Sequence, residues 1–371
     1  MTDSLLTGYA AIVCDLDGVV YHGGAAVDGA VRALTAAAEQ GRPVVYATNN
    51  ASRTPQDVAA QLRGFGLELG DGDVITSSQA GAAHLSERLD RGRPVLAVGG
   101  SGVAAALRDA GLAPVSAPEH ESGTAVDAVL QGYGPDVSWR DLAQAARAVQ
   151  AGAVWVVTNT DRSLPTEWGP APGNGTLVAA VRAVVDHDPE VIGKPFPPLY
   201  ERAAASVGVP AADTLAVGDR LDTDIAGAGA AHMDALLVLT GVHGVVDVAL
   251  APPERRPRYV AADLAALHGP YEEPHRGTTD GWCCGSAHAR LDQVGGLVLA
   301  AEGHEGPLAE DGLRAGLACL WDAADGADAP GCDEAVLRRS ARRLERWWAG
   351  RTGAREAVPW AVDDEEDRDG R

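Results

Sequence analysis

Four short groups of polar residues have the residue types that cleavage of a phosphate ester would need. They are Asp15-Leu16-Asp17-Gly18, Thr48-Asn49-Asn50, Gly193-Lys194-Pro195 and Gly218-Asp219-Arg220-Leu221-Asp222-Thr223-Asp224. Each group alone has an ordinary explanation, because Asp-Gly is common in turns, Asn often caps helices and acidic loops are usually solvated. The four groups gain meaning from their combination, since each follows a predicted strand.

Asp15 and Asp17 have the spacing of a nucleophile and a proton donor. An ionised carboxylate attacks phosphorus without first losing a proton, so Asp15 could split the reaction into two steps. Side chains two positions apart on an extended chain face the same way, which would bring Asp17 to the same substrate. Proton transfer by Asp17 to the leaving oxygen would contribute roughly 100- to 10,000-fold.

The charge of a phosphate ester must be offset for such an attack to succeed. Mg²⁺ prefers oxygen ligands, and the carboxylates of Asp15 and Asp219 could supply two of them. Thr48 and the Asn49 amide could hold phosphoryl oxygens. Lys194 would add a permanent positive charge beside the nucleophile.

The elements that must position these groups are predicted by alternating apolar runs and helical patterns. Strands are expected at residues 10–15, 43–48, 191, 214–217, 235–239 and 259–260, with helices at 27–40 and 54–65. This alternation is typical of an α/β fold with a parallel sheet. In such sheets, ligands bind outside the carboxyl ends of the strands.

A second α/β series occupies residues 74–188. Its clearest strands are predicted at 94–98, 128–131 and 154–157, and a helix at 138–150 is capped by Ser138. Gly99-Gly100-Ser101-Gly102 lies between a predicted strand and a helix. It could cradle a phosphate, but a tight strand-to-helix turn is the favoured interpretation.

The region beyond residues 267–275 has a different pattern. Residues 282–301 predict two strands around 293–296, followed by amphipathic helices at 308–323 and 333–349. The last helix carries Arg338, Arg339, Arg342, Arg343 and Arg346. These arginines could bind nucleic acid, but a solvated helix face is the favoured interpretation in so acidic a chain.

Composition limits the function classes. A chain of 371 residues exceeds one typical hydrophobic core, so two or three domains are expected. The net charge of -22 argues against nucleic-acid and anionic membrane partners. No run of about 18 apolar residues and no signal-like start occurs. Five scattered cysteines predict free thiols and a cytoplasmic setting, and Cys283-Cys284 as half of a metal site is disfavoured.

Taken together, the four groups resemble the motifs of haloacid dehalogenase-like phosphatases over residues 8–268. More narrowly they resemble subfamily IIA, which includes p-nitrophenyl, phosphoglycolate and pyridoxal phosphatases. The resemblance implies Asp15 as nucleophile, Asp17 as acid and base, and Mg²⁺ bound by Asp15, the Asp17 carbonyl and Asp219. Asp224 would be a supporting carboxylate that does not bind the metal itself. The predicted substrate-binding residues are Thr48, Asn49, Asn50 and Lys194.

The resemblance also implies a domain organisation. A Rossmann-like parallel-sheet core would comprise residues 1–73 and 189–268, with an inserted α/β cap at 74–188. A small C-terminal α+β region at 276–350, like a fragment of an acetyltransferase, would precede an acidic tail at 351–371. The run from residues 159–165 through 172–175 resembles the substrate loop of the cap. Leu164 stands where pyridoxal phosphatases have histidine, which disfavours that substrate.

The tail region is similar to that of actinobacterial glycerol-3-phosphate phosphatases. It lacks an acetyl-CoA phosphate loop of the Arg/Gln-x-x-Gly-x-Gly/Ala kind, so packing or an oligomer contact is expected rather than acetyl transfer. The resemblance implies a magnesium-dependent phosphatase for a small phosphorylated metabolite, first glycerol 3-phosphate and then phosphoglycolate, a sugar phosphate or a nucleotide. Two competing hypotheses are a binding protein that acts through its C-terminal region and a phosphatase that a ligand regulates there. Homo-oligomerisation stays open.

Overall fold

The computed structural model describes residues 4–166, 169–278, 280–300, 307–326 and 333–352. The first part of the chain forms β1 (Ala11–Cys14), β2 (Tyr21–His22), β3 (Ala25–Ala26), α1 (Ala30–Glu39), β4 (Val44–Thr48), α2 (Pro55–Gly64) and β5 (Val74–Thr76). Every residue of β1 and β4 is buried. Such unbroken apolar runs are typical of parallel strands covered on both faces. Thr54 and Asp57 begin α2 with a reciprocal capping box.

The second part forms a sheet of its own. Its elements are α3 (Ser77–Ser86), β6 (Pro94–Val98), α4 (Ser101–Asp109), β7 (Ala113–Val115), α5 (Ala117–Glu121), β8 (Ala128–Gln131), α6 (Trp139–Gln150), β9 (Val154–Val157), β10 (Ser163–Thr166), β11 (Gly169–Pro172), α7 (Asn174–Arg182) and β12 (Glu190–Val191). Five strands pair in parallel in the order β12-β9-β8-β6-β7. β10 and β11 form a separate antiparallel hairpin.

The third part returns to the first sheet. It contains α8 (Pro198–Ser206), β13 (Thr214–Gly218), α9 (Ala226–Ala230), β14 (Asp234–Val238), α10 (Val245–Ala249) and β15 (Tyr259–Ala261). The resulting six-stranded parallel sheet has the order β15-β14-β13-β1-β4-β5. The prediction of a Rossmann-like α/β core is confirmed. β13, β1 and β4 are neighbours, so the polar groups that follow them meet at one edge.

Two strands lie across the predicted domain boundaries. Residues 74–76, expected at the start of the cap, form β5 and pair with β4 of the core sheet. Residues 190–191, expected in the core, form β12 and pair with β9 of the second sheet. An apolar run predicts a strand but not which sheet accepts it, so these margins depend on tertiary pairing. The division into core and cap otherwise stays a prediction.

The C-terminal region is an antiparallel sheet covered by two helices. It forms β16 (His275–Arg276), β17 (Trp282–Cys284), β18 (Ala287–Leu291), β19 (Leu297–Ala300), α11 (Pro307–Asp325) and α12 (Glu334–Thr352). Residues 282–300 contain three strands rather than the predicted two, because Gly285, at φ 52°, adds a turn. Residues 351–352, predicted as the start of the acidic tail, are the last two residues of helix α12. The rest of the predicted tail, residues 353–371, lies outside the described ranges.

The C-terminal region contacts the core through polar groups on α11. Trp321 donates to the Val248 carbonyl at 2.8 Å, and Arg256 forms a bidentate ion pair with Asp325. Cys14, Cys283 and Cys284 are free thiols, and Cys332 lies outside the described residues. None of the helices in the described ranges combines the length and apolar composition that crossing a bilayer requires.

Candidate active site

The carboxyl edge of the core sheet brings together most of the predicted site residues. Asp15 follows β1, Thr48 is the last residue of β4, and Asp219 follows β13. Asp224 lies in the helical turn Leu221–Ile225 shortly after Asp219. Lys194 enters from the segment that precedes α8, a helix that packs across β1 and β4. Residues far apart in the chain thus converge because their strands are adjacent.

Lys194 is the only lysine of the chain and forms the buried centre of the site. Its side chain is 3% exposed, and its Nζ contacts Asp15 Oδ1 and lies 2.7 Å from Asp224 Oδ1. Burial alone would lower the pKa of Lys194, but the two carboxylates outweigh it and raise that pKa. Lys194 therefore stays charged and holds Asp15 beside Asp224.

Asp219 lies in a close-fitting backbone cradle. The Val242 amide donates to its Oδ2 at 2.6 Å. A Cβ atom added to Gly18 would lie 2.4 Å from Asp219 Oδ2, and one added to Gly241 would lie 2.0 Å from it. The two glycines therefore fix the position of the carboxylate. Gly18 also has a φ of 84°, which favours glycine.

The carboxylates at this edge fit a hard divalent cation. Oxygens of Asp15, Asp219 and Asp224 lie within 4.8 Å of one another. Asp219 Oδ1 is buried and has no hydrogen-bond partner among the residues that the structure describes, and burial together with Asp224 raises the pKa of Asp219 to about 7. Burial also raises the pKa of Asp15 against the opposing charge of Lys194. A cation with oxygen ligands would satisfy the orphan atom and stabilise both ionised carboxylates.

Asp224 is less available to a cation than Asp15 and Asp219. Its Oδ1 accepts from Lys194, and its Oδ2 accepts from the backbone amides of Asp219 at 3.3 Å and Arg220 at 3.1 Å. Gly218 packs so closely that an added Cβ would lie 2.2 Å from the Asp224 Cβ. These contacts suit the supporting role predicted for Asp224.

Asp17 has the environment of a carboxyl group that can hold a proton. Its side chain is accessible to solvent, yet the surrounding protein desolvates it and raises its pKa. The charges of Lys194, His22 and Arg53 oppose that rise. A raised pKa favours a proton donor at neutral pH, which is the role predicted from the spacing of Asp15 and Asp17.

The side chains of Thr48, Asn49 and Asn50 form hydrogen bonds with other groups of the protein. Thr48 is buried, and its hydroxyl accepts from the Asn50 amide at 3.0 Å. Asn49 Nδ2 donates to Asp161 Oδ2 and to the Lys194 carbonyl, so both of its amide hydrogens have partners. Asn50 Oδ1 accepts from the amide and hydroxyl of Ser52. The side chain of Asn49 therefore positions Lys194 and the cap, and the contact of Asn49 with phosphoryl oxygens stays a prediction.

The predicted substrate loop meets the core at Asn49. Asn159 Nδ2 donates to the Asn49 carbonyl at 2.7 Å, and Asn174 Nδ2 donates to the Asn159 carbonyl at 2.7 Å. Asp161 had no predicted role of its own, but it accepts from Asn49, and burial raises its pKa. The loop thus begins over the site, although residues 167–168 between its strands lie outside the described ranges.

The Gly99-Gly100-Ser101-Gly102 turn is filled by the core. The Gly102 amide donates to the Ser52 carbonyl at 3.3 Å, and the Gly100 amide donates to the Tyr133 carbonyl at 3.1 Å. A Cβ on Gly100 would lie 2.3 Å from the Ser52 carbonyl oxygen. This segment is therefore a tight turn in close contact with the core backbone, in agreement with the favoured interpretation. The Ser52 carbonyl occupies the space that a phosphate would need.

Comparison with known proteins identifies the family. A haloacid dehalogenase-like hydrolase model matches residues 12–113, and a HAD-hydrolase-like model matches residues 191–267. D-glycerol 3-phosphate phosphatase of Mycobacterium tuberculosis (strain ATCC 25618 / H37Rv) is 40% identical over 352 residues, which cover 93% of this chain and 95% of that protein. This chain belongs to the haloacid dehalogenase-like hydrolases. The family recognised from the four motifs is confirmed.

Other relatives of this haloacid dehalogenase-like hydrolase are also named phosphatases. An acid sugar phosphatase of Staphylococcus aureus (strain USA300) is 37% identical over 240 residues, or 65% of this chain and 90% of that one. A crystal structure of a glycerol phosphate phosphatase from Mycobacterium tuberculosis in complex with magnesium has a TM-score of 0.77, with 35% identity. The matched region covers 94% of this chain and 100% of the Mycobacterium tuberculosis chain. A p-nitrophenyl phosphatase from Archaeoglobus fulgidus, 27% identical, has a TM-score of 0.64 over 70% of the hydrolase and 98% of that chain.

Proposed function

We propose that this haloacid dehalogenase-like phosphatase hydrolyses D-glycerol 3-phosphate with the help of Mg²⁺. Support comes first from the buried group of Asp15, Lys194 and Asp219 at the carboxyl edge of the core sheet. It comes second from the D-glycerol 3-phosphate phosphatase of Mycobacterium tuberculosis, whose similarity to this chain continues through the C-terminal region rather than ending with the core. The magnesium complex of a similar structure supports the choice of metal.

The proposed reaction has two steps on phosphorus. In the first, an oxygen of Asp15 forms a bond to phosphorus while the bond to the glycerol oxygen breaks, and Asp17 gives that oxygen its proton. In the second, Asp17 takes a proton from water, the water oxygen bonds to phosphorus, and Asp15 leaves as a carboxylate. The products are glycerol and inorganic phosphate, and both aspartates regain their starting states.

The protein contributes charge and position to both steps. Asp15, Asp219 and the Asp17 carbonyl would hold Mg²⁺, which offsets phosphoryl charge when bound. Lys194 keeps Asp15 in place and adds positive charge beside the attacking oxygen. Thr48 lies at the same edge, where its hydroxyl can face phosphoryl oxygens. The cap loop at Asn159 and Asp161 would exclude water from the reacting atoms.

A sugar phosphate is the second candidate substrate. The acid sugar phosphatase matches over 240 residues, a length that the core and cap together supply without the C-terminal region. Both candidates use the same chemistry and differ only in the alcohol that leaves. The contacts of that alcohol depend on the cap loop, where Asp161 contributes a carboxylate.

A panel of phosphate esters separates these candidates. With Mg²⁺ present, kcat/KM for D-glycerol 3-phosphate is expected to exceed that for phosphoglycolate, sugar phosphates and nucleotides by about tenfold, the size of one or two well-placed contacts. Phosphate release would be measured for each ester under the same conditions. A value for glycerol 3-phosphate well below the others would overturn the substrate, while loss of activity on all esters would overturn the reaction.

Gly241→Ala is expected to weaken the binding of Mg²⁺ without unfolding the protein. The backbone at Gly241 does not have the positive φ that demands glycine, but the added Cβ must displace Asp219 Oδ2. Displacing a group that orients a metal ligand typically costs about 10- to 100-fold in affinity. The Mg²⁺ concentration at half-maximal activity should rise accordingly. Gly229→Ala is the matched control, because no atom lies within 4 Å of its added Cβ.

The proposal also covers the setting of the enzyme. A small phosphorylated metabolite is its partner, and neither nucleic acid nor a membrane is required. The free thiols of Cys14, Cys283 and Cys284 support a cytoplasmic location. Self-association through the C-terminal region stays a prediction, which size measurement in solution would test.

A further inference from the structure

A groove in the C-terminal region is lined by arginines that the proposed reaction does not use. It has a volume of about 270 Å³ and lies between α12 and the turn that joins β18 to β19. Arg339, Arg343 and Arg346 form one wall, since residues at i, i+4 and i+7 share a helix face. Val294, which is 75% exposed, and Val336 add apolar surface.

The groove arginines form no ion pairs within the part of the chain that the structure describes. No carboxylate there pairs with Arg339, Arg343 or Arg346, whereas Arg338 on the same helix pairs with Glu334 at 3.2 Å. The nearby Asp292 forms no ion pair with them, but the Gly296 and Val294 amides that donate to its Oδ1 lower its pKa, and the charge of Arg343 acts on it and helps to lower that pKa further. Three like charges on one helix face repel one another and attract an anion.

We infer that the occupant of this groove is the acidic end of the same chain, residues 363–367. That segment is Asp363-Asp364-Glu365-Glu366-Asp367, and the apolar run Val358-Pro359-Trp360-Ala361-Val362 precedes it directly. Its order of apolar and acidic residues matches a groove that offers valines and arginines. In a chain with net charge -22, five more carboxylates in one segment are attracted to a group of arginines.

The length of the chain allows this contact. Helix α12 ends at Thr352, nine residues after Arg343, which corresponds to about 14 Å of helix. Residues 353–362 can span up to about 33 Å when extended, so the carboxylates can return along the helix to Arg343 and Arg339. Because the contact is intramolecular, the carboxylates reach an effective concentration on the order of millimolar at the groove.

A zero-length carbodiimide cross-link tests this contact in the full-length protein. The reagent joins an amine to a carboxylate only when the two touch, and the single native lysine, Lys194, is 3% exposed. Arg343→Lys therefore places one reactive side-chain amine in the groove while keeping its charge. Arg338→Lys is the matched control, because Arg338 is exposed on the same helix but does not line the groove.

Arg343→Lys should yield an intrachain cross-link from position 343 to residues 363–367, several-fold more than Arg338→Lys yields. Adding Arg339→Gln and Arg346→Gln should reduce that yield, as should 1 M NaCl, where the screening length is about 3 Å. Equal yields at positions 338 and 343 would overturn the inference. Cross-links at position 343 that join two chains would also overturn it, since a second copy would then fill the groove.

Discussion

Replacing Asp15 with Asn is expected to lower phosphate release by about 10,000-fold or more, as loss of a nucleophile does in other hydrolases. Asparagine keeps the shape of the side chain and an oxygen that can accept from Lys194. It lacks the negative charge needed to attack phosphorus and to bind a cation. Release of phosphate from glycerol 3-phosphate would be measured with saturating Mg²⁺.

The control for this variant separates chemistry from folding. Asp28→Asn removes an exposed carboxylate from the same part of the chain and should leave turnover unchanged. Asp15→Asn should retain the circular dichroism spectrum of the native protein, because its neighbours Lys194 and Asp224 still form an ion pair. Turnover by Asp15→Asn at the level of Asp28→Asn would contradict the role of Asp15.

Lys194→Met should destabilise the metal-free protein by about 3–5 kcal/mol, the usual cost of removing one partner of a buried ion pair. Methionine fills a similar volume but leaves the carboxylates of Asp15 and Asp224 buried beside each other, with side-chain exposures of 11% and 2%. The free energy of unfolding would be measured by urea denaturation in the presence of a chelator.

A second variant identifies the cause of this loss. Adding Asp224→Asn to Lys194→Met removes one of the two uncompensated charges, so part of the lost stability should return. Mg²⁺ should also restore stability, because a cation bound by the folded protein replaces part of the missing positive charge. Wild-type stability of Lys194→Met in chelator would show that the carboxylates do not depend on Lys194.

The sequence reveals the core and its chemistry because both depend on local patterns. Strands β1, β4 and β13 are unbroken apolar runs, and a polar residue immediately after a parallel strand must lie at the carboxyl edge of the sheet. Asp15, Thr48 and Asp219 could therefore be located before the structure was known. Lys194 is included because its group follows the strand predicted at residue 191, but that strand has two residues and pairs with β9 of the second sheet, so the strand rule alone does not place Lys194 at the edge of the core sheet.

Other features depend on which elements meet in space. Residues 74–76 fall in the predicted cap and the strand predicted at residue 191 falls in the predicted core, but pairing with β4 and β9 places each in the other sheet. The contacts of the Asn49 side-chain amide with Asp161 and the Lys194 carbonyl join residues far apart in the chain, and nothing in the sequence indicates them. The sequence does not indicate a role for Gly241 beyond its position after a core strand. Its role depends on its closeness to Asp219, which only the folded chain shows.

Trapping the phosphorylated enzyme tests the role of Asp15 most directly. Wild-type protein would be mixed with Mg²⁺ and phosphate-labelled glycerol 3-phosphate, quenched in acid during turnover, and reduced with borohydride, which converts an aspartyl-phosphate to homoserine. Peptide mass spectrometry should find homoserine at position 15, and a separate, unreduced sample should lose its protein-bound label after hydroxylamine treatment. Phosphate release without modification at position 15, or with modification of another residue instead, would contradict attack by Asp15.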